Sequence, residues 1–341
     1  MIAEHEIRVA VSAEPPLISV IIPVFDGARI ILGAVRSALA QSHTNLEVIV
    51  VDDGSTDSTL EVLATVADPR LRILRQPNGG TAAARNRALA RCSGRYIAFL
   101  DSDDRWFPEK LAVELALLQS APDPIAIAYS SYYAVDDRGT LLNPAPNRTF
   151  CGWPLDILLD GEDFLMPSVC LFDRRIFDTI GNFRTDCYHE DHEFIIRAAR
   201  TYPIYPTGKR LAVYRQSSSG KCRSILADYE RARREELTSV KSASEMLTPE
   251  QTARLRRNAL RSLYCRFLMY GYSGHARRLL PEVDLADLRG SKKGLLAWFF
   301  AKSGINVLMP ARVVIQLVHR IFGQRSWVRK MRSSRLELRY D

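Results

Sequence analysis

The chain has 341 residues, 47% of them hydrophobic and 25% charged, which is ample for a buried core and excludes global disorder. Its net charge of +8 is unevenly spread: residues 221–341 carry 25 Lys/Arg against 11 Asp/Glu, or +14, which leaves −6 for residues 1–220. The basic end suits a phosphorylated substrate or an anionic lipid, and no recognised nucleic-acid motif accompanies it.

Residues 1–16 are polar and end in Pro15-Pro16, which predicts a loose leader. Glu4, Glu6 and Arg8 stand where a signal peptide needs an apolar run, so export is not expected. Leu17 to Ile22 reads as a buried strand stopped by Pro23, and the apolar spacing of residues 29–41 predicts a helix. Leu46 to Val51 is a second strand, closed by Asp52-Asp53-Gly54. Ser55 to Ser58 offer N-caps for a helix to about Val66. A third strand at 71–74, a helix opened by Gly79-Gly80-Thr81, and a fourth strand at 96–100 follow. Asp101-Ser102-Asp103-Asp104 stands at the end of that strand. A helix at 108–119 and a strand at 129–135 complete the regular part. This alternation predicts an α/β fold with a mostly parallel twisted sheet flanked by helices, in which ligands bind beyond the carboxyl ends of the strands.

Residues 150–220 are mixed, with a helix predicted at 190–200. The remainder is helical and basic, with a helical hairpin expected across 255–280. Lys302, Pro310 and Arg312 interrupt the apolar stretch 295–323, so no membrane span is expected. From Ala311 one helix face gathers Val313, Val314, Leu317, Val318, Ile321 and Phe322, and a run of basic residues follows. That profile fits peripheral contact of 295–339 with an anionic membrane, or a helix packed on its own domain. The six cysteines form no Cys-x-x-Cys pair and no zinc spacing, as in reduced cytoplasmic proteins.

Two acidic clusters fall at the predicted ligand edge. Three carboxylates within 101–104 repel one another unless a cation neutralises them, and oxygen donors suit Mg²⁺ or Mn²⁺. A solvated acidic cap is the other reading. Asp52-Asp53-Gly54 offers acceptors to a ribose or a base N–H, or simply makes a tight bend. Small residues at 79–84 allow close approach of a ligand, with Arg85 one turn in. Glu190-Asp191 opens an apolar-patterned helix, where the dipole favours an ionised carboxylate that can accept a proton, or caps the helix. No G-x-G-x-x-G follows a strand and no P-loop is present, which disfavours dinucleotide cofactors and P-loop chemistry.

The ordered strings ISVIIPVFDGARIILGAVRSALAQSHTNLEVIVVDDGSTDST (18–59), NGGTAAARNRAL (78–89), YIAFLDSDDRWFPEKL (96–111) and IGNFRTDCYHEDHEFIIRAA (180–199) resemble the family 2 glycosyltransferases, whose fold is called GT-A. The resemblance covers about 17–216 and implies a leader at 1–16, a catalytic domain at 17–220 and a helical, basic C-terminal region at 221–341. It implies an inverting, metal-dependent sugar transfer from a nucleotide donor, UDP-sugars being the default, to a hydroxyl of a glycan, lipid-linked or protein acceptor in polysaccharide or glycoconjugate synthesis. In that family's terms Pro23, Val24 and Phe25 line the nucleotide pocket, and Asp53 pairs with the base with Asp52 beside it. Arg85 lies near the nucleotide. Asp101 and Asp103 form the D-x-D pair toward ribose and metal, Asp104 is an extra acid for the metal, and Asp191 is the general base. Trp106 borders the sugar or belongs to the core. Two departures stand out: Asp26 where many relatives have Asn, and Gln216 followed by serines where many have a metal-binding His. The competing reading is a non-catalytic module that binds nucleotide sugar or scaffolds a membrane polysaccharide-assembly complex. The expected setting is cytoplasmic, with peripheral contact at the inner face of the cell membrane as its extension.

Overall fold

The structure, a computed structural model, describes residues 14–284 except 124, 145, 146, 148, 161–164 and 218–220. The leader up to residue 13 and the amphipathic segment 295–339 therefore lie outside the described residues. The chain divides into one unit of Met1–Ser218 with Thr238–Gln251 and a second of Ser219–Leu237 with Thr252–Asp341.

In chain order the elements are β1 (Ile18–Val24), α1 (Ile31–Leu39), β2 (Leu46–Asp52), α2 (Thr59–Leu63), β3 (Leu71–Arg75), α3 (Gly80–Leu89), β4 (Tyr96–Phe99) and β5 (Arg105–Trp106). There follow α4 (Lys110–Ser120), β6 (Ile127–Val135), β7 (Leu141–Pro144), α5 (Leu155–Leu159), β8 (Cys170–Asp173), α6 (Arg175–Ile180), α7 (Glu190–Thr201) and β9 (Ile204–Arg215). The last helices are α8 (Lys221–Leu226), α9 (Tyr229–Ser244), α10 (Pro249–Met269) and α11 (Ser273–Leu279).

Among the described residues nine strands form one sheet in the order β3-β2-β1-β4-β8-β6-β9-β5, with β7 on β6. Strands β3, β2, β1 and β4 run parallel, as their βα connections require. Strand β8 is antiparallel to both β4 and β6, while β6 and β9 pair in parallel. The carboxyl ends of β1, β2, β4, β6 and β9 thus share one edge of the sheet. Pro23 does not end β1: it pairs in register with Val51 on β2. On the other side β4 reaches only to Phe99, opposite Ile21, so Pro23 sits where β1 has become an edge and its missing N–H is tolerated.

The apolar runs explain the core. Ile18, Val20, Ile21, Ile22, Val48, Ile49, Val50 and Val51 are fully buried because this half of the sheet is covered on both faces. On the other side of β4, Phe99, Phe172, Phe177, Phe183 and Phe194 form one aromatic cluster with edge and stacked contacts 4.5–5.9 Å apart. Within the second unit, Tyr229 stacks on Phe267, and His275 packs against both rings. Among the described residues no helix is long and apolar enough to cross a membrane.

Candidate active site

At the end of β1 the chain turns at Asp26, whose φ of 49° is left-handed. Asp tolerates that region, as Asn does, because its short side chain bonds locally. Here the Asp26 carboxylate accepts the N–H groups of Thr56 (2.7 Å) and Asp57 (3.3 Å), while its own N–H donates to Ser55 Oγ (2.9 Å). The departure from Asn thus falls at a residue that ties β1 to the turn after β2. Pro23 and Val24 are buried beneath this segment, and Phe25 is half exposed at its tip.

The two aspartates at the end of β2 face different ways. Asp52 is sealed from solvent; it accepts the Ser55 N–H (3.2 Å) and faces Arg75 Nε at 3.3 Å. Asp53 instead grips the entry to α3. Its Oδ1 accepts from Gln76 Nε2 (2.7 Å) and the Gly79 N–H (2.9 Å), and its Oδ2 from the Gly80 N–H (2.8 Å). Gly54 makes this possible: with φ of 84° and space for a Cβ only 2.8 Å from Asn78 N, no other residue fits easily. Gln76 had no signal in the sequence beyond its place between β3 and Gly79.

Arg85, one turn into α3, organises the centre. Its guanidinium is buried over the rings of Phe183 (5.1 Å) and Phe99 (5.9 Å). It donates to Asp101 Oδ1 at 2.8 Å and lies 3.4 Å from Glu190 Oε1. One cation therefore joins the end of β4 to the start of α7, residues 101 and 190. Burial pulls the Arg85 pKa down, but Asp101, Glu190 and Asp191 outweigh it and the net direction is upward. Asp191 shows the reverse. Burial pushes its carboxyl up, yet the fields of Arg85 and His189 and the His192 N–H bond (2.8 Å) hold it below the usual carboxylate range. Asp191 is accordingly an ionised acceptor beside a buried arginine.

The acids after β4 separate in character. Asp101 is partly exposed and pairs with Arg85. Asp103 is pushed up to about 6, first by burial and then by Asp101. Asp104 is buried, with Oδ2 accepting from Ser168 Oγ (3.1 Å) and Oδ1 from the Arg215 N–H (3.0 Å), so it ties the end of β9 beneath the turn. Burial, then Asp101 and Asp103, push its carboxyl well up. Arg215 Nε is buried with no hydrogen-bond partner among the described residues, and its positive field acts on Asp103. Gln216 binds Val135 O through its N–H (2.8 Å). Among the described residues no three His, Cys, Asp or Glu side chains group as a metal cage. Asp101 and Asp103 nonetheless fit the smaller share of a Mg²⁺ or Mn²⁺ shell that proteins supply when a substrate phosphate completes it, because the crowding that raises Asp103 is relieved by a cation. Trp106 belongs to the core: it is buried, donates Nε1–H to Ser168 O (2.8 Å) and lies under Lys110 Nζ (4.4 Å).

Residues 19–181 match the model of glycosyl transferase family 2. This segment is a family 2 glycosyltransferase domain. The chain is 32% identical over 200 residues to an uncharacterized glycosyltransferase of Rickettsia prowazekii, covering 56% of this chain and 61% of that one. It is 39% identical over 155 residues to the chondroitin synthase of Escherichia coli, covering 45% of this chain and 22% of that one. The chain thus spans less than two thirds of these relatives' length. Its fold is that of S. aureus TarS 1–349, solved in complex with UDP-GlcNAc: TM-score 0.53 at 19% identity, over 90% of this chain and 93% of that one. The GT-A architecture expected from the motifs is therefore present, including a helical C-terminal part. Asp191 lies beyond the matched segment.

Proposed function

We propose that this protein is an inverting glycosyltransferase that moves a sugar from a nucleoside diphosphate donor to a hydroxyl of a growing glycan or glycoconjugate. The observation that carries this reading is the Arg85 guanidinium held between Asp101 and Glu190, because it brings the donor-side acids and the base-bearing helix to one place.

Each residue then has a task. Asp53 has three donors on its two oxygens, which leaves one acceptor position, on Oδ2, for the N–H of a base such as uracil. Pro23, Val24 and Phe25 form the wall of the base pocket, and Asp52 holds the turn behind it. Asp101 orients the ribose. Asp103 and Asp101 would hold the divalent cation, with Asp104 fixing the turn that carries them. A cation there supplies positive charge to the diphosphate as it leaves. Arg215 adds a fixed positive charge beside Asp103. Asp191 takes the acceptor hydroxyl proton as its oxygen attacks the anomeric carbon from the face opposite the diphosphate. The depressed pKa of Asp191 keeps it ready for that proton at neutral pH, and the fixed geometry removes much of the entropic barrier.

The UDP donor is the default because UDP-sugars are the family's common donors, and the unfilled acceptor on Asp53 suits the N3–H of uracil, which thymine shares. A panel of UDP-, GDP- and dTDP-sugars, assayed with Mn²⁺ for nucleoside diphosphate release, tests the reading. Release with one donor class, abolished by chelation, is expected. Tight donor binding without release, even with acceptor glycans present, would favour a non-catalytic nucleotide-sugar module instead.

A further inference from the structure

Resting on the reading of Asp191 as the base, we infer that the stretch 238–251 belongs to the reaction machinery, with Ser239 a positioning residue for Asp191. Residues 181–189, which lead into α7, form no regular element. Their start is fixed from the matched domain and from α7. Asn86 grips Phe183 both ways, Nδ2 donating to its carbonyl (2.8 Å) and Oδ1 accepting its N–H (3.0 Å). Arg197 donates to the carbonyls of Ile180 (2.5 Å) and Asn182 (2.8 Å) and is itself held by Glu193.

The end of the segment is fixed from elsewhere. The N–H of His189, the residue that caps α7, donates to Oγ of the buried Ser239 at 3.2 Å. Arg184 reaches Glu245 at 2.6 Å from the same stretch. Glu190-Asp191 is therefore held on one side by Arg85 and at its preceding residue by Ser239. Both residues of this bond lie in the first unit, and Ser239 lies far past the matched segment 19–181. A base must stay within a fraction of an ångström of its proton-transfer geometry, so loosening this contact acts on the chemical step and leaves donor contacts in place.

The test compares Ser239→Thr, which keeps a hydroxyl, with Ser239→Val, which has nearly the same shape without one. Both are assayed on the donor that the full-length protein hydrolyses fastest from a UDP-, GDP- and dTDP-sugar panel with Mn²⁺, alongside Asp191→Asn. The valine variant is expected to lose about tenfold in kcat with donor KM changed by less than about twofold, and the threonine variant to recover most of it. Equal kcat for the two variants, with Asp191→Asn inactive, overturns the role of Ser239 while leaving the base assignment intact. A fully active Asp191→Asn overturns the base assignment itself, and this inference with it.

Discussion

A guanidinium buried on phenylalanine rings and shared by acids from two motifs is costly to assemble, and its geometry explains why lysine is a poor substitute. Arg85 reaches Asp101 and Glu190 with separate nitrogens, whereas an ammonium is a single point charge. Arg85→Lys should therefore keep the fold, read by circular dichroism, and lower kcat/KM roughly thirtyfold, the equivalent of one charged hydrogen bond of about 2 kcal/mol. Asp103 makes a pH prediction. Its carboxyl is pushed up to about 6 by burial and by Asp101, and a cation binds only the deprotonated form. Mn²⁺-dependent donor affinity should hold above that value and fall as the pH drops through it, measured by calorimetry between pH 7.5 and 5. An affinity independent of pH across that window would remove Asp103 from the metal site. Asp191 is held below the ordinary carboxylate range, so its own protonation should limit the rate only at still lower pH.

At the scale of elements, the first half of the sheet was legible because β1 and β2 are short β-branched runs, β2 and β4 lead into acidic turns, and α1 shows apolar spacing. Strands β8 and β9 were not. Lys209 and Arg210 interrupt β9, and its middle at Gly208 and Lys209 is exposed, so neither alternation nor a continuous apolar run marks it. Strand β5 is two residues long and exists only through its pairing with Val213 and Ala212 on β9. The motif aspartates were visible as a set, but their division of labour was not. Nothing local distinguishes Asp104, tied to Ser168 and Arg215, from Asp103 one residue earlier. The same holds for the ion pair of Lys110 and Glu114 inside α4, 2.7 Å apart and fully buried, with Ser130 on the other carboxylate oxygen at 2.6 Å. In sequence it is an ordinary i,i+4 surface pair. Lys110→Met should cost about 3–5 kcal/mol in urea unfolding because it strands a buried carboxylate, while Lys110→Met with Glu114→Leu should cost much less. Equal losses in the two variants would show that packing alone sets the value.

For the whole molecule, charge and architecture divide differently. The acidic part carries the parallel sheet and the candidate site, and the residues from 221 onward carry +14. Binding of the full chain to vesicles containing anionic lipid, absent with neutral vesicles and weakened by salt, is the expected result if 295–339 lies on a membrane surface. Cosedimentation measures it, and equal binding to both vesicle types would contradict it. The catalytic account rests on residues far apart in the chain acting on one donor. Asp191→Asn tests it most directly, with donor affinity by calorimetry and transfer by single-turnover assay on the same preparation. The account predicts donor affinity within about twofold of the unaltered protein and transfer slowed by about 10³-fold. Unchanged transfer would contradict it.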